Sequence, residues 1–596
     1  MGVSGLLRNV IEKYPNTIYP APNPNISIDY LYLDFNSFIY KAIHAFPQNV
    51  FYDFSNEKQT EKFEEKLVKL VVDITVKLVN KMKPKKLVYI AIDGPPPLAK
   101  MVQQRERRYK RPLIKQILKN NDPSQIIAGS TYDDNRITPG TVLMDLLNKE
   151  FEKAISKKKF KKVSVVFDGS NNPGEAEHKY LKLIEGLIDD PKENHVIFSN
   201  DGDEIFLSLK FPRKNIYVMM NADATALKGF FKETQEYAYL DAKKLGDSYF
   251  QMYGISQFGG RKLSNNEKLL LKTLTKNSEC GLNNTIHEDK EAFLKDFIFM
   301  SFLEGNDFVK PIYFLKFNQD KMRTPLSIYR FQRKMKNDSN FRLINSDFSI
   351  NQTFLFLMMK RLGEIENEKF MDIKRNIEKK ISLPPIKRNL NNVFEHKFYT
   401  NQDHYLHEDY VQQFDFLFGD MPNFKQRYYE YFFGKDYKID KICEDFLRIL
   451  EFNVNYYFGI EVNWDTFYNE AAAPLPSDLA HFLHSNPGFF KTLKLPQGNP
   501  VEPFVLLAYV LPPQSMTKGT IPEKYRDELL KKYPQYFPER IPLKLMQPGG
   551  KLIYAEPHLE NPPISILEKI LSKIKLTSDE KERNTLKEES EIFIFK

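Results

Sequence analysis

Carboxylates recur in this sequence where short, apolar, β-rich runs end. The runs Ile28-Asp-Tyr-Leu-Tyr-Leu-Asp34, Leu87-Val-Tyr-Ile-Ala-Ile-Asp93 and His195-Val-Ile-Phe-Ser-Asn-Asp201-Gly-Asp203 each read as a buried strand that delivers an acid at its C-terminal end. Pro173-Gly-Glu175-Ala-Glu177 and Gly305-Asn-Asp307 add three more acids at loop or helix starts. Any one of these alone reads as a helix cap or a solvated turn acid. As a set, Asp34, Asp93, Glu175, Glu177, Asp201, Asp203 and Asp307 suit Mg²⁺ or Mn²⁺, which prefer oxygen ligands. Two such ions about 3.5–4 Å apart can hold the attacking and leaving oxygens of a phosphodiester in line. Asp168, at the end of Val163-Ser-Val-Val-Phe-Asp168, reads instead as a turn residue before Gly169.

A second signal follows Asp93. If a helix begins after Pro95-Pro-Pro97, then Lys100, Gln104, Arg107 and Arg108 fall at i, i+4, i+7 and i+8, on one face. A solvated basic face is the ordinary meaning of such a run. Beside a strand-end acid, the same cations would grip a phosphate, for which the Arg fork and the Lys point charge are both suited. Trp464, the single tryptophan, lies in an aromatic stretch from Tyr456 to Tyr468 and is a candidate platform for a base, as is Tyr40, six residues beyond Asp34.

These residues need a scaffold. Up to about residue 310 the chain alternates strand candidates (28–34, 87–92, 163–168, 195–199, 215–220) with helical patterns (57–81, 102–119, 141–158, 175–188, 290–304), which is how an α/β, mostly parallel sheet flanked by helices reads. Ligands of such sheets sit beyond the carboxyl ends of the strands, where these acids would converge. The stretch 311–400 is polar with weak periodicity and reads as a connecting or peripheral region. From 401 to 570 the chain turns aromatic and helical, a second half packed around the first. The charge-dense end, 571–596, reads as a helix or loose tail.

Bulk properties bound the class. The 596 residues are 42% apolar, enough for a sizeable core in more than one domain. The formal charge of +9 points toward a polyanionic partner. Cys280 and Cys443 form no CxxC pair, which excludes a cysteine-rich zinc module and fits a reducing compartment; both read as buried small hydrophobes. No apolar run approaches the ~18 residues of a membrane span. The start lacks a signal peptide, and Leu6 stands where a myristoylation motif needs Ser or Thr. The expectation is a soluble, intracellular protein, cytoplasmic rather than nuclear, without membrane contact.

The ordered motifs resemble the XRN family of 5′→3′ exoribonucleases. They are Met1-Gly-Val-Ser-Gly-Leu-Leu-Arg8, Leu31-Tyr-Leu-Asp-Phe-Asn36, Lys100-Met with Gln103-Gln-Arg105, Ile137-Thr-Pro-Gly-Thr141, Pro173-Gly-Glu-Ala-Glu-His-Lys179, Gly305-Asn-Asp-Phe308 and the segment 456–479. The resemblance spans roughly 1–570 and is weakest at 311–400. It implies a PIN/5′-nuclease-like catalytic unit over 1–310 and a second conserved unit over 401–570. It also implies that the seven acids hold two Mg²⁺, and that Lys100, Gln104, Arg107 and Arg108 form a pocket for a 5′-monophosphate. The implied activity is processive removal of nucleoside 5′-monophosphates from single-stranded RNA by a monomer. Departures are Tyr40 where the family has histidine, Ala176 between the paired glutamates, and Ala471 and Ala472 where aromatics are expected. The chain looks like a compact, divergent member, such as a large DNA virus could carry. A structure-specific 5′ flap DNA nuclease and a catalytically inactive RNA-binding scaffold are the alternatives.

Overall fold

The structure is a computed structural model of the chain, and describes residues 6–46, 52–54, 56–121, 132–160, 163–222, 227–231, 235–254, 289–315, 322–336, 341–381, 404–539, 541–547 and 555–594. Cys280 lies outside the described residues; Cys443 is buried in the core, and burial pushes its thiol pKa up.

One sheet organises the first half. Its strands are β1 (Ile18–Ala21), β2 (Tyr30–Asp34), β3 (Leu87–Ala91), β4 (Ser164–Asp168), β5 (Asn194–Phe198), β6 (Asn215–Asn221) and β7 (Tyr237–Asp241), and a pair of short strands, β8 (Leu543–Lys544) and β9 (Glu556–Pro557), stands apart from it. With β10 (Glu591–Phe593) the sheet order is β1-β7-β6-β5-β2-β3-β4-β10. The five central strands are parallel, and β7, β1 and β10 join antiparallel at the edges. The side chains of β2 alternate: Leu31 and Leu33 enter the core on one face and Tyr32 the core on the other, all three fully buried as a central strand requires. The chain runs outward from β2 through β3 to β4, then returns to lay β5 against the other side of β2. The strand order therefore reverses at β2/β5, the place where open α/β sheets form their crevice.

Among the described residues eight helices serve this sheet: α1 (Leu6–Lys13), α2 (Asn36–Ala45), α3 (Glu57–Met82), α4 (Leu98–Asn121), α5 (Val142–Ser156), α6 (Ala176–Gly186), α7 (Asp203–Leu209) and α8 (Ala242–Tyr253); α9 (Lys290–Phe302) follows. All five expected strands and all five expected helical patterns are present, within a few residues of the expected bounds. The antiparallel strand β7 was not foreseen, nor were two features at the sheet edges. The first is the antiparallel edge strand β1, which carries Pro20 and is tolerated only because a sheet edge needs no amide there. The second is β10, which comes from the charge-dense end.

That end is not a loose tail. Residues 578–584 form a helix closed by a capping box between Thr577 and Glu580. Arg583 Nη1 donates to the Gly140 carbonyl at 2.8 Å, Lys587 N–H donates to the Asn171 carbonyl at 3.0 Å, and Ile592 pairs with Val166. The stretch read as connecting also carries regular structure, α10 (Arg323–Lys336) and the 30-residue α11 (Gln352–Ile381). At Gly363 a Cβ would lie 3.0 Å from Ser477 Cα, so α11 approaches the later helix Pro476–Ser485 with backbone almost against backbone.

There are three buried clusters, and two of them, the first and the third, bind the halves. One covers the Tyr32 face of the sheet and runs on without a break through α9 and α11 into the aromatic helices between 404 and 485. The second fills the opposite face beneath α3 and α5. The third packs Met101 and Val102 of α4 against Phe504–Leu511 and on to Leu571. Within it the fully buried Arg105 donates to the carbonyls of Tyr509 (2.6 Å), Tyr536 and Glu560 (3.3 Å). Replacing it by leucine strands the two buried carbonyls of Tyr509 and Tyr536, each worth about 1–3 kcal/mol, and frees the outer one of Glu560. Arg105→Leu should therefore lower the thermal midpoint by several degrees, read by calorimetry, and an unchanged midpoint would show that this anchor is dispensable.

Candidate nuclease site

Register aligns the acids. Asp34 pairs with Ala91, Ala91 with Asp168, and Leu33 with Phe198, so β2, β3, β4 and β5 end at one level. Asp34 ends β2, Asp93 lies two residues beyond β3, Asp201 follows β5 and Asp203 opens α7. Asp34 accepts from Ser199 Oγ at 2.9 Å, which ties the ends of β2 and β5 together.

Asp93 and the paired glutamates are joined by main chain. Gly94 N–H donates to the Gly174 carbonyl and Gly174 N–H to the Pro95 carbonyl, each at 2.9 Å. The two loops pass so closely that a Cβ on Gly94 would fall 1.6 Å from the Asn172 carbonyl oxygen. Asp93 then accepts from Asn36 Nδ2 (2.6 Å) and from the Ala176 N–H (2.8 Å) at the start of α6, where the helix dipole favours an anion. Glu175 is the N-cap residue of α6 and Glu177 lies in its first turn. Asp307 arrives from beyond α9, on a loop whose Gly305 takes a positive φ that only glycine adopts freely.

Lys100 sits among these acids. Its ammonium pairs with Glu175 and, at 2.8 Å, with Asp307. Burial raises Asp34 to about 7, with the negative charge of Asp93 adding to it, and raises Asp203 to about 8, with Asp201 and Asp307 adding. Burial raises Glu177 well above the carboxylate range, reinforced by Glu175. Burial also raises Glu175, against the pull of Lys100. Asp307 goes the other way: burial opposes its charge, but the Lys100 ammonium outweighs it and holds the group below the ordinary range. The acids are thus close enough to repel one another in a medium that screens poorly. The donor set, all carboxylate oxygens, fits a hard divalent cation. Among the described residues no three His, Cys, Asp or Glu side chains meet in a geometry that holds a metal.

Along α4 the basic residues divide. Lys100 faces the acids, while Gln104 accepts from Arg108 Nη2 at 3.3 Å. Burial, with Arg107 beside it, lowers the Arg108 guanidinium to about 9. Arg108 Nη1 and Arg107 Nε are buried without a hydrogen-bond partner, which is what an anion would satisfy. Tyr40 on α2 acts on both Arg108 and Arg111, so it lies at the far end of this basic group from Lys100. Trp464 is half-buried. Its carbonyl accepts the Leu98 N–H at the start of α4, and its own N–H donates to the Gln497 carbonyl, both at 2.8 Å.

Asp168 is absent from this cluster for a definite reason. It pairs with Lys179 at 3.0 Å and accepts from Tyr89 at 2.9 Å, and Lys179 also donates to the carbonyls of Ile92 and Gly169. It is a buried brace rather than a turn acid. Asn36, Ser199 and Tyr456, which hydrogen-bond to acids of the cluster, were not singled out from the sequence. Asn36 and Tyr456 stand inside quoted motifs, but nothing in their spacing marks them as partners of carboxylates.

Raised carboxyl pKa values make a stability prediction. A carboxyl whose folded pKa lies above its unfolded value of about 3.9 contributes stability that is complete below that value and is lost as pH rises through the folded one. For Asp34 and Asp203 the loss ends near pH 7 and 8. In EDTA, the unfolding midpoint should fall between about pH 4 and 8, and Asp203→Asn should flatten the upper part of that fall. A midpoint independent of this substitution at every pH would refute the mutual repulsion. Separately, Gly94→Ala should part the two acid-bearing loops and cost turnover on the order of 100-fold, the scale of a 1 Å misplacement.

Residues 1–222 match the family model described as "XRN 5'-3' exonuclease N-terminus". The chain is 27% identical over 383 residues to "5'-3' exoribonuclease 1" of Schizosaccharomyces pombe, covering 62% of this chain and 26% of that protein. It is 29% identical over 381 residues to the protein of the same name from Saccharomyces cerevisiae (61% and 23%) and 25% identical over 584 residues to that of Homo sapiens (88% and 31%). The chain spans about a quarter to a third of the length of these three relatives. The match covers the strand ends that carry Asp34, Asp93, Asp201 and Asp203, the paired glutamates and the basic helix, so it is over residues 1–222 that the chain is similar to the XRN 5′-3′ exonuclease family.

Proposed function

We propose that the chain is a 5′→3′ exoribonuclease that degrades single-stranded RNA bearing a 5′-monophosphate and releases nucleoside 5′-monophosphates. The observation that carries the reading is the continuity of α4. At about 1.5 Å rise per residue, Lys100 among the acids and the buried, unpartnered donors of Arg107 and Arg108 stand about 10–12 Å apart along one helix. Such an arrangement measures from a terminal phosphate to the bond next to be cut.

Asp34, Asp93, Glu175, Glu177, Asp201, Asp203 and Asp307 would hold two Mg²⁺, with Mn²⁺ an alternative. Bound there, the ions supply Lewis-acid stabilisation of the charge that develops on the cleaved phosphodiester. Arg107 and Arg108 would fork onto the 5′-phosphate, with Gln104 orienting Arg108 and Lys100 bridging acids and substrate. The rings of Tyr40 and Trp464 would stack on the leading bases, a contact indifferent to sequence. A cap or triphosphate would overfill a pocket whose donors are already buried. The same reading assigns 1–310 as the catalytic unit, 401–570 as the unit that roofs it, and an intracellular, monomeric setting. Among the described residues no helix is long and apolar enough to cross a membrane.

Asp203→Ala should abolish turnover while RNA binding persists, and full activity in that variant would remove Asp203 from the site. With matched RNAs carrying 5′-phosphate, 5′-triphosphate or 5′-hydroxyl, Mg²⁺-dependent decay should favour the first. Arg107→Ala should erode that preference about tenfold or more, the worth of one charge-assisted hydrogen bond. Cleavage of flapped DNA with RNA left intact would overturn the assignment in favour of a flap nuclease.

A further inference from the structure

Two of the acids that sit outside the parallel strand ends, Glu175 and Asp307, are tied to a helix of the second half. Glu175 lies in a loop and Asp307 follows α9, so the sheet register places neither of them. The helix Ile439–Phe458 reaches both. Its Tyr456, only 2% exposed, donates from its hydroxyl to Glu175 Oε1 at 2.7 Å, while the other carboxylate oxygen pairs with Lys100. Asn453 and Tyr457, on the same helix face as Tyr456, each contact Asn306, which donates through Nδ2 to Asn453 Oδ1 (3.3 Å) and to the Tyr457 hydroxyl (3.4 Å). Asn306 in turn accepts the N–H groups of Phe308 and Val309, which closes the turn that carries Asp307.

The Tyr456 ring cannot swing away. Phe308 meets it edge-on, with ring centroids 5.2 Å apart and planes at 83°, Phe452 stacks on it at 5.4 Å, and His178 of α6 packs against it. Phe308 is the neighbour of Asp307 and His178 the neighbour of Glu177, so one clamped phenol is in contact with both acid-bearing segments. A carboxylate fixed by a hydrogen bond to one oxygen presents the other in a defined direction, whereas a free one samples several rotamers before it can bind an ion.

We infer that Tyr456 is a positioning residue of the metal site: its hydroxyl orients Glu175, and with Asn453 and Tyr457 it makes the helix Ile439–Phe458 part of the frame that sets the affinity of the acids for a divalent cation. The inference rests on the reading of these acids as metal ligands.

The test is Tyr456→Phe, which deletes the hydroxyl and keeps the packed ring. Mn²⁺ binding by the RNA-free protein, measured by electron paramagnetic resonance or calorimetry, should weaken about tenfold to 100-fold, the usual effect of losing a partner that orients a ligand. Turnover should fall at limiting Mg²⁺ and recover as Mg²⁺ is raised, with KM for RNA and the 5′-phosphate preference unchanged. A purely packing role would lower the thermal midpoint and leave the Mn²⁺ affinity of the folded protein as it was. Unchanged Mn²⁺ affinity in Tyr456→Phe, with wild-type protein that binds Mn²⁺ and an Asp203→Ala variant that has lost it, overturns the positioning role alone. Absence of Mn²⁺ binding in the wild type overturns the metal-site reading beneath it.

Discussion

Mutual repulsion among buried carboxylates is the constraint around which this molecule is built. The acids are drawn toward one end of a sheet, where burial raises the carboxyls of Asp34, Glu175, Glu177 and Asp203 above the ordinary range. The fold answers with one ammonium at the centre, that of Lys100, and with directed donors at the periphery: Ser199 for Asp34, Asn36 and the α6 amide for Asp93, and Tyr456 for Glu175. None of these donors cancels the charge. They hold the acids in place at an energetic cost.

The frame that sustains this strain is shared between the halves. Parallel register brings four strands to a common level, and main-chain hydrogen bonds between the Gly94 and Gly174 loops fix the next two acids to the first. What the sheet cannot reach, the helix Ile439–Phe458 supplies. Arg105 performs a similar service for α4, since a helix that carries both Lys100 and Arg108 must not slide along its axis without moving both at once.

Much of this was legible in the residues. The strand-ending acids were visible because buried parallel strands are continuous apolar runs, and a carboxylate at the end of such a run stands out. The helix spacing of Lys100 to Arg108 was equally plain. What escaped was whatever depended on tertiary contact. Lys100 sits on the expected face but turns to Glu175 and Asp307, a choice set by charge rather than periodicity. Asp168 looks like its neighbours in sequence, yet Lys179 claims it. The regularity of α11 is blurred by its polar composition, and β10 is three residues long, too short to show a period of two. Tyr456 was one aromatic among many, and only its hydroxyl partner distinguishes it.

The strand β10 also sets an order of assembly. It covers the outer edge of β4, yet it is drawn from a segment about four hundred residues further along the chain. At translation rates of about 5–20 residues per second, that edge waits for tens of seconds with its main-chain groups open, in a molecule whose central strands pair far earlier. An apolar edge left unpaired is a template for association with other chains. During its own synthesis the protein therefore passes through a period in which the edge of β4 is unsealed, and that edge adds to the surface open to aggregation or to chaperones.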